Sequence, residues 1–123
     1  MHYLRWQQPT TLRAWADAGM NYDSTLGYAD RPGFRCGTCH EYPAFDPVAQ
    51  EQLPLRVRPL VVMECSVMAE KYLGLGATEL AVEKILEIKN RCIMVGGYFT
   101  LLWHNSEFQK STAYEIYQQA IGG

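Results

Sequence analysis

The stretch Tyr98–Asn105, reading Tyr-Phe-Thr-Leu-Leu-Trp-His-Asn, constrains this chain more than any other. It follows Gly96-Gly97 and is rich in aromatic and branched side chains, the composition of a strand buried on both faces. It stops at His104 and Asn105. Two other apolar runs share the plan: Met20–Tyr22 ends in Asp23, and Leu60–Met63 ends in Glu64. Laid side by side and parallel, the three runs would carry an aspartate, a glutamate and an imidazole to one rim. That is where α/β folds build their sites.

The intervening segments read as covering helices. Thr10-Thr11 opens a short one with a threonine N-cap; Leu12, Trp15 and Ala16 share its inner face, and Gly19 ends it. Cys65–Leu73 holds a second short helix. Thr78 caps the strongest, Glu79–Val95, whose stripe is Ala81, Val82, Ile85, Leu86, Ile88, Cys92, Ile93 and Val95. Thr112–Ile121 closes the chain. His2–Trp6 reads as a strand end or loop. Residues 26–54 read as mostly irregular because prolines and glycines interrupt them, and a loop that long is more often functional than idle. Leu55–Arg58 alternates apolar and basic up to Pro59, as at an edge or bend. The order helix, strand, loop, strand, helix, strand, helix predicts an α/β fold of mainly parallel strands with covering helices.

At 123 residues the chain is one domain at most. A net charge of −2 gives no electrostatic case for nucleic acid or an anionic membrane surface. No apolar run is long enough to span a bilayer. No basic-then-apolar leader opens the sequence, so as written the chain is expected in the cytoplasm, with its four cysteines mainly free thiols.

His104 is the first candidate for chemistry, as general acid or base, because imidazole titrates near neutral pH. Asp23 is the preferred partner for its ring and Glu64 the second choice. Against these stand plainer readings. Asp23 precedes Ser24 and Thr25, as in an Asx-turn, and Glu64 suits an ion pair with Arg56 or Arg58. Arg35, beside Gly33, could clamp a carboxylate or orient an acid. His2 and Arg5 join the list if the N-terminal segment runs along the same edge. The aromatics Tyr28, Phe34, Tyr42, Phe45 and Trp103 suit sugar stacking, though packing is the commoner use. Cys36-Gly37-Thr38-Cys39-His40 has the spacing of a c-type haem attachment, but a loop with two free thiols or a local disulfide is the favoured reading. Zinc at this motif is disfavoured, because no second ligand pair has suitable spacing: His2, His104, Cys65 and Cys92 are scattered.

Four segments together resemble a known family. Tyr22-Asp23-Ser24-Thr25-Leu26-Gly27-Tyr28, Gly33-Phe34-Arg35-Cys36-Gly37-Thr38, Leu60-Val61-Val62-Met63-Glu64 and Leu102-Trp103-His104-Asn105 resemble the later motifs of polysaccharide deacetylase domains, the NodB-homology enzymes of carbohydrate esterase family four. The opening His2–Trp6 resembles the tail of the family's middle motif. The resemblance implies a partial (β/α) barrel of the deacetylase type, with residues 1–123 forming the C-terminal portion of one domain. It implies a hydrolase of C–N bonds other than peptide bonds, removing N-acetyl groups from carbohydrate. His104 would be the general acid, Asp23 the group that orients it and Arg35 a supporting residue, with His2, Arg5, Glu64 and Asn105 on the substrate side.

The family's Asp-Asp and His-x-x-x-His motifs, which supply base and metal ligands, match nothing here. Asn105 stands where an aspartate often follows the histidine. The resemblance therefore implies no metal bound by this chain alone, a zinc-like divalent ion in the full-length domain, and no activity of the chain by itself. It implies an acetylated carbohydrate as substrate. As partner it implies either a missing N-terminal half or a second copy across an open sheet edge. Two other functions stand beside it: a non-catalytic carbohydrate-binding or interaction module, and a c-type haem electron carrier through Cys36, Cys39 and His40.

Overall fold

The computed structural model describes residues 2–122, the side chain of His2 excepted. The fold is a small mixed α/β domain. Its axis is the run from β3 (Glu51–Val57) into β4 (Val62–Met63), broken at Pro59. Strand β1 (Tyr22–Asp23) lies parallel to β3, Tyr22 opposite Arg56 and Asp23 opposite Val57. Strand β5 (Leu101–Leu102) lies parallel to β4, Val62 opposite Leu101 and Met63 opposite Leu102. Backbone bonds prolong both pairings, from Leu60 N to Leu26 O at 3.1 Å and from Val61 N to Thr100 O at 3.2 Å. Each of the three apolar runs thus has a parallel neighbour. Among the described residues they form two small sheets, with no closed barrel.

Residues 26–54 are less irregular than the sequence suggests. Strand β2 (Tyr42–Asp46) pairs antiparallel with β3, making a hairpin. Ala44, Asp46, Leu53, Leu55 and Val57 turn inward, while Pro43, Phe45 and Pro54 turn outward. The register slips between Pro43 and Phe45. Pro54 sits opposite that slip, where the ladder does not need its missing N–H. This is how a strand accommodates a proline that reads as a breaker.

The run buried on both faces is Leu60–Met63, at 1–7% exposure, not Tyr98–Trp103. Tyr98 is 55% and Leu102 37% exposed, because β5 pairs with β4 alone. Its strand is also short, two residues of the expected six.

Helices α1 (Thr10–Asp17), α2 (Glu64–Met68), α3 (Glu79–Met94) and α4 (Ser111–Ile121) cover the strands. Two apolar cores result. Val61 and Val62 pack with Val67, Ala81, Ile85, Ile88, Cys92, Ile116 and Ala120. Leu12, Ala44, Leu53, Leu55 and Val57 pack with Trp6 and Trp15. The stripe on α3 is narrower than expected: Ile93 and Val95 are exposed. Thr78 takes the N-cap position of α3 as predicted but without a side-chain capping bond, and no threonine caps α1. Helix α1 starts after Pro9, and the Thr78 hydroxyl donates backward to Leu75 O at 2.7 Å. Residues His2–Leu4 form a 3-10 turn rather than a strand end. Among the described residues, no helix is long and apolar enough to cross a membrane.

Candidate functional site

The parallel strands β4 and β5 end side by side, and the next residues diverge. After Met63 the chain turns into α2, so Glu64 is its first residue. After Leu102 it runs through Trp103 and His104 into a 3-10 turn at Asn105–Gln109. The Met63–Leu102 register thereby sets Glu64 near His104, and the imidazole Nδ1 hydrogen-bonds Glu64 Oε1. A carboxylate only accepts, so Nδ1 is the donor. Glu64 is 2% exposed, whereas His104 is part-buried.

The second Glu64 oxygen, Oε2, is buried with no hydrogen-bond partner among the described residues. An unsatisfied buried acceptor costs about 1–3 kcal/mol. A fold retains such a group where something else uses it.

Two cavities open beside this pair. The larger, about 560 Å³, is lined by Glu64, Cys65, Lys71, Tyr72, His104 and Glu107 among others. The smaller, about 290 Å³, shares Glu64, Cys65 and Glu107 and adds Lys110 and Gly76. Lys110 Nζ pairs with Glu107 at 3.1 Å. Burial, and then the Glu64 charge, push the Cys65 thiol up from its ordinary value. The donor atoms of Glu64, Cys65 and His104 lie within 4.8 Å of one another.

The other expected site residues go elsewhere. Asp23 is 4% exposed and bonds Thr25, with Thr25 Oγ1 at 2.6 Å and Thr25 N at 3.3 Å. It forms the Asx-turn, and Glu64, the second choice, takes the imidazole. Arg35 is exposed and donates to Gly27 O at 3.1 Å. Gly27 itself passes so close to the segment leading into β4 that a Cβ there would meet Leu60 O at 2.9 Å. Asp23 and Arg35 therefore both shape the 22–28 loop. Arg5 is exposed, with its guanidinium 5.9 Å from the Tyr3 ring. Asn105 is exposed at the start of the 3-10 turn. The His2 side chain lies outside the described residues. Arg56 and Arg58 both pair with Glu41, leaving Glu64 to His104.

The Cys36–His40 segment does not fit a haem. Cys39 is 3% exposed and faces Cys92, whose thiol burial and that contact push up to about 12. Cys36 turns instead toward Leu26 O and Tyr42. His40 Nε2 lies 3.0 Å from Val95 O. Two thioether bonds to one ring need both sulfurs on one accessible face, and these two pack against different neighbours, Cys39 buried in the core. All four cysteines are free.

Sequence reasoning missed Cys65, Lys71, Tyr72 and Glu107. Cys65 carried one signal, its place directly after Glu64 at the strand-to-helix step. Lys71 and Tyr72 reach the rim from the turn after α2 and Glu107 from the 3-10 turn, with no sequence pattern of their own. No family model, no curated protein and no solved structure matches the chain.

Proposed function

We propose that this chain is the C-terminal part of a polysaccharide deacetylase-like domain, a hydrolase of C–N bonds other than peptide bonds, in which His104 is the general acid. One observation carries the reading: the Glu64–His104 hydrogen bond at the common end of two parallel strands, on the wall of a cavity of about 560 Å³. Glu64 holds Nδ1–H, which leaves Nε2 to carry the transferable proton. As the amide C–N bond breaks, that proton goes to the departing amine, and the ring is left neutral. Glu64 replaces Asp23 as the positioning residue. Asp23 and Arg35 hold the 22–28 loop against the segment leading into β4.

The divalent metal of such a domain would polarise the acetamide carbonyl. Its ligands there come from the two motifs this sequence lacks, so no step is assigned through it here.

The test is the deacetylation of an acetylated amino-sugar oligomer by this chain joined to an N-terminal half bearing the Asp-Asp and His-x-x-x-His motifs. His104→Ala should lower the rate by about two to four powers of ten, with sugar binding kept. An unchanged rate would remove the acid and favour a binding module. Turnover by the 123-residue chain alone, abolished by chelator, would contradict the division into halves.

A further inference from the structure

We infer that Glu64, Cys65 and His104 form a zinc(II) site that opens onto the cavity, argued from geometry apart from the deacetylase reading and, when occupied, taking His104 out of its acid role. Their three donor atoms lie within 4.8 Å of one another, and among the described residues no other trio of His, Cys and carboxylate groups does so. Tetrahedral zinc with bonds of about 2.0–2.3 Å holds its ligands roughly 3.3–3.8 Å apart. Side-chain rotations of about 1 Å therefore close the site. Glu64 and Cys65 are consecutive at the start of α2, so two of the three donors come from one short segment.

A second observation points to a ligand. Glu64 Oε2 is buried without a hydrogen-bond partner, on a side chain 98% removed from solvent. A bound cation would satisfy that oxygen. One carboxylate oxygen, one thiolate and one imidazole suit zinc, whereas magnesium and calcium take oxygen ligands. Three protein ligands beside a cavity leave the fourth position to water, as at exchangeable rather than purely structural sites. A ring nitrogen that holds zinc does not carry a proton, so metal occupancy and acid catalysis by His104 exclude each other.

The experiment uses the metal-free chain, titrated with zinc(II) against a chromophoric chelator and, separately, with cobalt(II). One equivalent should bind, and cobalt should show a thiolate-to-metal charge-transfer band. Cys65→Ser should abolish the band, whereas Cys36→Ser and Cys39→Ser keep it. Cys65→Ser and His104→Ala should each weaken zinc by at least about tenfold, the least expected when a group supporting a site is lost. Failure to take zinc from the chelator, a cobalt spectrum without the band, or unchanged affinity in both variants would overturn the site. Should Cys65→Ser not fold, the spectrum of the unmutated chain decides. No substrate enters the measurement, so this inference and the acid role of His104 fail separately.

Discussion

The buried carboxylates of the two halves of the molecule are satisfied in opposite ways. In the β1–β2–β3 half, Asp23 bonds the Thr25 hydroxyl and amide. Asp46 accepts Val48 N at 2.9 Å and Ala49 N at 3.0 Å on one oxygen and Arg13 on the other. Both acids close turns with groups close in sequence or on α1. In the β4–β5 half, Glu64 bonds a histidine 40 residues away and leaves one oxygen without a partner beside a cavity. The difference separates structure from chemistry. A carboxylate whose oxygens are consumed locally holds a loop, and one kept incomplete at a cavity wall is available to react.

The largest effect that could break this contrast is on rate. Asp23→Ala in the joined domain should leave the turnover per folded molecule close to the unmutated value, against the hundredfold or greater loss from His104→Ala. A loss at Asp23 as large as that at His104 would return it to the chemistry.

Next comes stability. Asp23→Ala removes two buried hydrogen bonds to Thr25 and should cost about 1–3 kcal/mol in urea denaturation. Glu64→Gln, by comparison, should leave the fold intact, with the free energy of unfolding moved by less than the Asp23 change. The reverse order would make Glu64 the structural acid.

A smaller effect concerns acid pH. The Arg13 guanidinium, helped by the Val48 and Ala49 amides, holds the Asp46 carboxyl down at about 2. The folded value lies below the unfolded one, near 3.9. This contribution is therefore full above about pH 4 and is lost as pH falls toward 2. In Asp46→Asn, thermal unfolding followed against pH should show a flatter acid limb over that window. An unchanged limb would mean that Asp46 is not held by Arg13 in solution.

The smallest effect is that of Arg35→Ala. Its single, part-buried bond to Gly27 O, made by an otherwise exposed side chain, predicts a stability change within about 0.5 kcal/mol and no change in rate.

The parts legible in sequence were those that repeat or that run apolar without a break. The α3 stripe shows in its period, and Leu60–Met63 in its continuous apolar side chains. The parallel pairing of β4 with β5 followed from the helices between them. What stayed hidden depended on contacts across the chain. The β2–β3 hairpin carries prolines on its outward face, and local rules treat these as breakers. The weight given to Tyr98–Trp103 rested on composition, which does not tell an edge strand from a central one. Asp23 and Glu64 looked alike as strand-end acids. Only the register of β4 against β5, and the hydroxyl of Thr25 two residues beyond Asp23, distinguish them.

The account rests on Glu64 and His104 acting as one unit, and a double-mutant cycle on the deacetylation rate of the joined domain tests that most directly. Acting together, the pair should be non-additive, with Glu64→Gln/His104→Ala no slower than His104→Ala alone. Losses that simply multiply, or a joined domain with no turnover of acetylated sugar, would contradict it.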